Sequence, residues 1–232
     1  MKKQILAVGA LLATTCLINA AVLVGWDFDP LAGGGNDFGP SPYSPTTVAS
    51  NVITGGLVRG SGVGTAGQGA GNAWGGNAFN SGTFEDAVTG NKFATFTVQA
   101  SPGYTLSFTS IDAYNVRRSN TGPTTGQWQY SLDGINFVNI GSEITWGATT
   151  TSAGNTQSAI DLSSITALQN LSDSTVVTFR VVTWGGSGAT GTWYLNDPNG
   201  SPGIDFSVSG TISPVPEPAS AVMLAGGVGM IL

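Results

Sequence analysis

Apolar and polar residues alternate through most of this chain, the period of a strand with one buried face. Ala21 to Asp29 alternates around Trp26 and Phe28. Ala94, Phe96, Val98 and Ala100 share one face of a second strand, and Tyr104, Leu106 and Phe108 one face of a third. The alternation slips at Ser110-Ile111, which predicts a bulge or bend. Gln127 to Leu132 alternates cleanly with Trp128, Tyr130 and Leu132 inward, and Asp133-Gly134 turns the chain into Ile135 to Ile140, a hairpin signal. Val176 to Trp184, Thr192 to Leu195 and Ile204 to Thr211 complete the set. Only Ser163 to Leu171 reads as a short helix. Many half-buried strands joined by Gly-rich turns predict an all-β fold, a two-sheet β-sandwich wound as a jelly roll.

The two ends break this pattern. Lys2 and Lys3 precede an apolar stretch from Ile5 to Ile18, with Ala20 or Ala21 as a small residue for cleavage. That order is the pattern of a secretory signal helix and assigns residues 1–20 to it. At the other end Val215-Pro216-Glu217-Pro218 introduces a Gly- and Ala-rich apolar run from Ala219 to Leu232. The prolines make a stiff extended spacer, and the small residues suit a membrane helix. Residues 21–212 are the sandwich domain, and 213–232 the tail.

Val215-Pro216-Glu217-Pro218 with the apolar run behind it resembles the PEP-CTERM sorting signal of exopolysaccharide-making Gram-negative bacteria. The same C-terminal segment occurs on ice-binding proteins. The resemblance implies export by the secretion machinery, passing association with the inner membrane through the tail, and processing by an exosortase. It leaves the protein at the cell surface or in the extracellular matrix. Phe96 to Leu106, Arg117 to Thr124, Tyr130 to Gly134 and Val177 to Trp184 are similar to an ectodomain common in that group, which looks like a jelly roll and carries no known reaction. The family's tails end in arginines, whereas this sequence stops at Leu232. As a helix the apolar run reaches about 21 Å against a hydrocarbon core of about 30 Å, so the tail is expected to continue.

Composition narrows the chemistry. The chain has no histidine, and its single cysteine, Cys16, falls in the signal segment. Disulfides, thiol nucleophiles, His-dependent triads and His/Cys zinc sites are thereby excluded from the mature chain. Without Lys2 and Lys3, five basic residues stand against 13 acidic, a net charge of −8. Such a surface offers nothing to a row of phosphates, so nucleic acid is not an expected partner.

The remaining candidates are few. Gly62 to Gly67 fits a G-x-G-x-x-G spacing but sits in a Gly-, Ser- and Asn-rich stretch without a following helix, so it reads as a loop. Asp27 and Asp29 share a strand face near Asp205 and the Asn196 to Gly200 loop. They lack the D-x-D-x-D-G loop of a calcium site and read as surface acids. Hydrolysis of a polysaccharide by a carboxylate pair is the alternative chemistry, with Glu85, Asp86 and Glu143 as the free acids. Thr149-Thr150-Thr151 is the one hint of an ice-binding face. Trp74, Trp146 and Trp184 stand beside glycines, where exposed indoles would stack on sugar rings. Arg180, on a strand face, reads as structurally paired. The expected protein is a non-catalytic, exported surface or matrix protein without cofactor or metal, and its leading ligand is exopolysaccharide.

Overall fold

The computed structural model describes residues 20–216. The signal segment before Ala20, and Glu217, Pro218 and the apolar run, lie outside the described residues. The principal strands are β1 (Ala21–Trp26), β2 (Ala73–Gly76), β3 (Phe93–Ala100), β4 (Tyr104–Ile111), β5 (Tyr114–Arg118), β6 (Thr125–Ser131), β7 (Val138–Thr145), β8 (Asn155–Gln157), β9 (Ile160–Asp161), β10 (Val177–Trp184), β11 (Trp193–Asn196) and β12 (Phe206–Pro214). One short helix, α1 (Phe84–Thr89), precedes β3.

The strands form a two-layer sandwich, all of it antiparallel. One layer has the order β9-β4-β12-β1 and continues as β8-β5-β11-β2; the other has the order β7-β6-β10-β3. Here β4 and β5 run in succession through the first layer, as do β8 and β9, and β11 and β12. Counting each as one bent strand, and β1 and β2 together as the first, the pairings nest: β1 and β2 with β12 and β11, β3 with β10, β4 with β9, and β6 with β7. First pairs with last, second with next to last, and so inward to a hairpin. That nesting is the winding of a jelly roll, and it confirms the fold class read from the alternation.

The bend read at Ser110-Ile111 has a structural cause. Ser209 pairs with Ser110 and Gly210 with Phe108, so Thr109 bulges out of the ladder. The chain then leaves one half of the layer at Ile111 and enters the other at Tyr114. This step lets a single run of sequence line the whole layer.

Between the layers lies an aromatic core. Trp128 stacks on Phe206 at 5.6 Å, Trp26 on Phe206 at 5.5 Å and Phe96 on Phe179 at 5.2 Å, while Phe108 meets Phe179 edge-on at 5.0 Å. Trp128 Nε1 donates to the Tyr114 hydroxyl at 2.8 Å, bridging β6 to β5 across the sandwich. Burial pushes the Tyr114 hydroxyl far above its usual range, so it stays protonated and accepts that bond.

Three local expectations are corrected. Ser163 to Leu171 contains only a 3₁₀ turn, Thr166–Leu168, which buries Leu168. The helix forms instead at α1, where Thr83 Oγ1 accepts the Asp86 N–H at 3.1 Å as N-cap and Gly90 closes the end. The hairpin expected after Ser131 forms, β6 pairing antiparallel with β7, but through a loop over 132–137 instead of a two-residue turn, and Leu132, read as inward, is exposed. Asp133 Oδ1 accepts the N–H groups of Ile135 and Asn136 there, so the aspartate organises a wider loop than a two-residue turn.

Candidate functional site

The three tryptophans expected as sugar contacts are core residues. Trp74 and Trp146 are fully buried and Trp184 is 8% exposed. Trp74 lies in β2, whose small neighbours pair with β11. Its Nε1 donates to Pro40 O at 2.6 Å and the Arg59 guanidinium covers its ring. Trp146 packs on Trp193 and over Gly126, where no side chain intervenes. Trp184 meets Phe84 of α1 edge-on at 5.5 Å. The glycines beside these indoles mark close approach, so no exposed indole face is left for a sugar ring at any of them. Arg180 is structurally engaged as expected, although its partner is not a carboxylate. It makes two bonds to Gln129 Oε1, at 2.9 and 2.6 Å, and stacks on Phe137 and Phe93. Burial lowers its pKa to about 10.

The candidate acids divide into two groups. Glu85 and Asp86 are exposed on α1, which packs against β10, while Glu143 is exposed on β7, the far edge of that layer. The cleft beside Glu143, about 280 Å³, contains Gln157 and Ser158 but no second carboxylate. Glycoside hydrolysis needs two carboxyl groups facing one another, an arrangement that cleft does not provide. Thr149 to Thr151 lie in the loop between β7 and β8, not on a strand face where a threonine array could form.

Asp27, Asp29 and Asp205 do converge, because β1 and β12 are neighbours. Asp205 Oδ2 accepts the Phe28 N–H at 2.7 Å, and Asp27 accepts those of Asp29 and Gly203. Burial pushes the Asp205 carboxyl up to about 6, helped by the charges of Asp197, Asp27 and Asp29 and opposed by the Phe28 bond. Asp197 is buried and caps its own turn by accepting from Asn199 and Ser201. These carboxylates are engaged by main-chain N–H groups, and among the described residues no set of three or more acids is placed to hold a metal ion. Gly62 to Gly67 forms a loop, as read, between short strands at Val58–Arg59 and Gln68–Gly69.

A different site emerges from an adjacent pair of arginines. Successive residues of a strand face opposite sides, so Arg117 and Arg118 on β5 must part. Arg118 turns inward and donates to the carbonyls of Pro123, Gly122 and Gly147. Arg117 turns outward, opposite Tyr194 on β11. Together they line an open cleft of about 200 Å³ with Gln68, Ser119, Thr150 and Thr192. Phe38 stacks on Tyr194 with ring planes 5° apart, fixing one wall. Burial raises the Tyr194 hydroxyl, against bonds from Thr192 and Ala70 and the charges of Arg117 and Arg59, so it stays a neutral donor and acceptor.

Arg117 is half-buried, and among the described residues its guanidinium makes no side-chain hydrogen bond or ion pair. The other cations there are all engaged: Arg59 on Gly75, Phe38 and Gly39, Lys92 on Gly62, Arg118 on its three carbonyls and Arg180 on Gln129. The cleft thus gathers a free planar donor, hydroxyls and an amide, with no acid among its lining residues. It also lies far from the chain's exits. Tyr104 pairs with Pro214 and Ala21 with Gly210 at one pole of the layer, while Arg118 pairs with Trp193 at the other. No family model, curated protein or solved structure matches this chain.

Proposed function

We propose that this chain is an exported, non-catalytic surface or matrix protein, sorted through its Val215-Pro216-Glu217-Pro218 tail by an exosortase-type system, whose sandwich binds exopolysaccharide. The observation that carries the binding role is the polar cleft between β5 and β11. It offers hydroxyls, an amide and an unengaged guanidinium on a rigid wall, the groups that orient a sugar's hydroxyls. Sorting is supported by the way the sandwich closes. β12 ends at Pro214, and the Val215 N–H, the first of the motif, donates to Gly103 O at 2.8 Å. The spacer therefore leaves the sandwich at the pole opposite the cleft, an arrangement suited to holding a ligand away from a point of attachment.

The test is affinity electrophoresis of the purified chain through gels containing the host's exopolysaccharide. Wild type is expected to be retarded, and Thr150→Trp, which fills the cleft from an exposed position, to run at its mobility in polymer-free gel. A wild type that is not retarded, or a Thr150→Trp variant retarded equally, sinks the reading.

A further inference from the structure

We infer that the cleft between Arg117 and Tyr194 receives the carboxylate of an acidic sugar, a uronic-acid ring. This rests on the polysaccharide reading above and narrows it to one class of residue. The key is the contrast between two neighbours. Arg118 shows how this fold satisfies a guanidinium with its own carbonyls, and Arg59 repeats the device. Arg117 has none of this, although it is half-withdrawn from water. A planar fork of donors left open matches a carboxylate, which accepts two parallel bonds.

The surroundings fit the rest of such a ring. Ser119, Thr150 and Thr192 present hydroxyls and Gln68 an amide, each able to donate or accept toward sugar hydroxyls. No acid competes for Arg117 from within the cleft. Tyr194, opposite Arg117 and clamped by Phe38, is held before any ligand arrives, so little ordering entropy remains to be lost. At about 200 Å³ the cleft falls below the size of drug-binding pockets, which suits a single ring rather than a long segment of polymer. The acidic balance of the sequence, a net charge of −6, repels a polyanion at long range. Recognition must therefore come from one short contact, and short oligomers are the right probe.

The experiment is calorimetric titration of the full chain with trimers of galacturonate, glucuronate and mannuronate, each beside its methyl ester, using wild type and Arg117→Gln. At least one acid trimer is expected to bind about tenfold or more tighter than its ester. Arg117→Gln should erase that difference while melting within a few degrees of wild type. If the variant does not fold, the acid-to-ester ratio on wild type decides alone. Equal binding of acid and ester overturns the uronate assignment and leaves the polysaccharide reading standing. A folded Arg117→Gln that keeps the preference removes Arg117 from the site. Absence of heat with every trimer, combined with unretarded migration in exopolysaccharide gels, overturns both readings.

Discussion

Gly126→Ala tests the most consequential correction, the burial of Trp146. A Cβ at Gly126 would lie within the contact radius of Trp146 Cζ2, 2.5 Å from Cε2 and 2.6 Å from Cη2. Carbon atoms rest about 3.5–4.0 Å apart, so the indole or the strand must shift by more than an ångström. Neither is free to move: Trp146 is fully buried against Trp193, and Gly126 pairs with Thr183 on one side and Ile144 on the other. Overpacking of this kind costs about 1–3 kcal/mol. The backbone at Gly126 is not in the left-handed region, so Ala would recover about 0.4–1 kcal/mol by restricting the unfolded chain. The net loss is about 1 kcal/mol, a fall in Tm of about 2–4 °C for a domain of this size. Thermal unfolding followed by near-ultraviolet circular dichroism reads it directly. Trp146→Phe removes the part of the indole in the way, and Trp146 Nε1 has no hydrogen-bond partner to lose. The double variant should therefore be more stable than the sum of the single losses, with a coupling of about 1 kcal/mol. A neutral or stabilising Gly126→Ala, or an additive cycle, would show that the indole does not lie over Gly126.

Two further outcomes are expected. Asp205 in the unfolded chain loses its proton near 3.8, whereas burial holds the native carboxyl at about 6. The native state binds more protons between those values, so this group makes the fold less stable as pH rises through that window. The full shift corresponds to about 3 kcal/mol, which screening of a half-exposed carboxyl reduces to about 1 kcal/mol. Asp205→Asn should therefore gain about 1 kcal/mol in urea unfolding at pH 8 and nothing at pH 3.5; a loss at pH 8 refutes the assignment. For the proposed sorting route, Glu217→Ala in an exosortase-bearing host is expected to leave the protein unprocessed in the membrane fraction. Unchanged delivery to the surface, with the wild-type mass, would remove the motif from the route.

What could be read from the sequence, and what could not, follows from the range of each interaction. Alternation is local, so Phe96, Val98, Phe108 and Trp128 announced an inward face, and the slip at Ser110 announced the bulge at Thr109. The class of fold followed from these. The tryptophans misled because a glycine beside an indole has two meanings. In a loop it signals exposure; in a paired strand it removes a Cβ so that an indole or a neighbouring backbone can close in, as at Gly126 under Trp146 and Gly75 against Trp193. Only the pairing partner distinguishes the two, and it is remote in sequence. α1 had a legible start in Thr83 and a legible stop in Gly90, but too few residues for a helical period to show. No strand is read from the sequence at Arg117 and Arg118, although sharing one requires one arginine outward. Its cleft, however, is completed by Gln68, Thr150 and Tyr194 from three separate segments, and no spacing along the chain encodes their meeting.

The nested pairing also sets how the molecule bears load. β12 is an interior strand of its layer, bonded to β1 on one side and β4 on the other, and it runs into the spacer at Pro214. On the proposed reading, a ligand at Arg117 and a tether beyond Pro214 would pull from opposite poles, separated by about 45 Å of strand. The force then runs along β12, perpendicular to the hydrogen bonds of both ladders. Those bonds must yield together in shear instead of parting one at a time as a zip does. The winding that closes the core thus places the strand leading to the proposed tether where it resists peeling from either side.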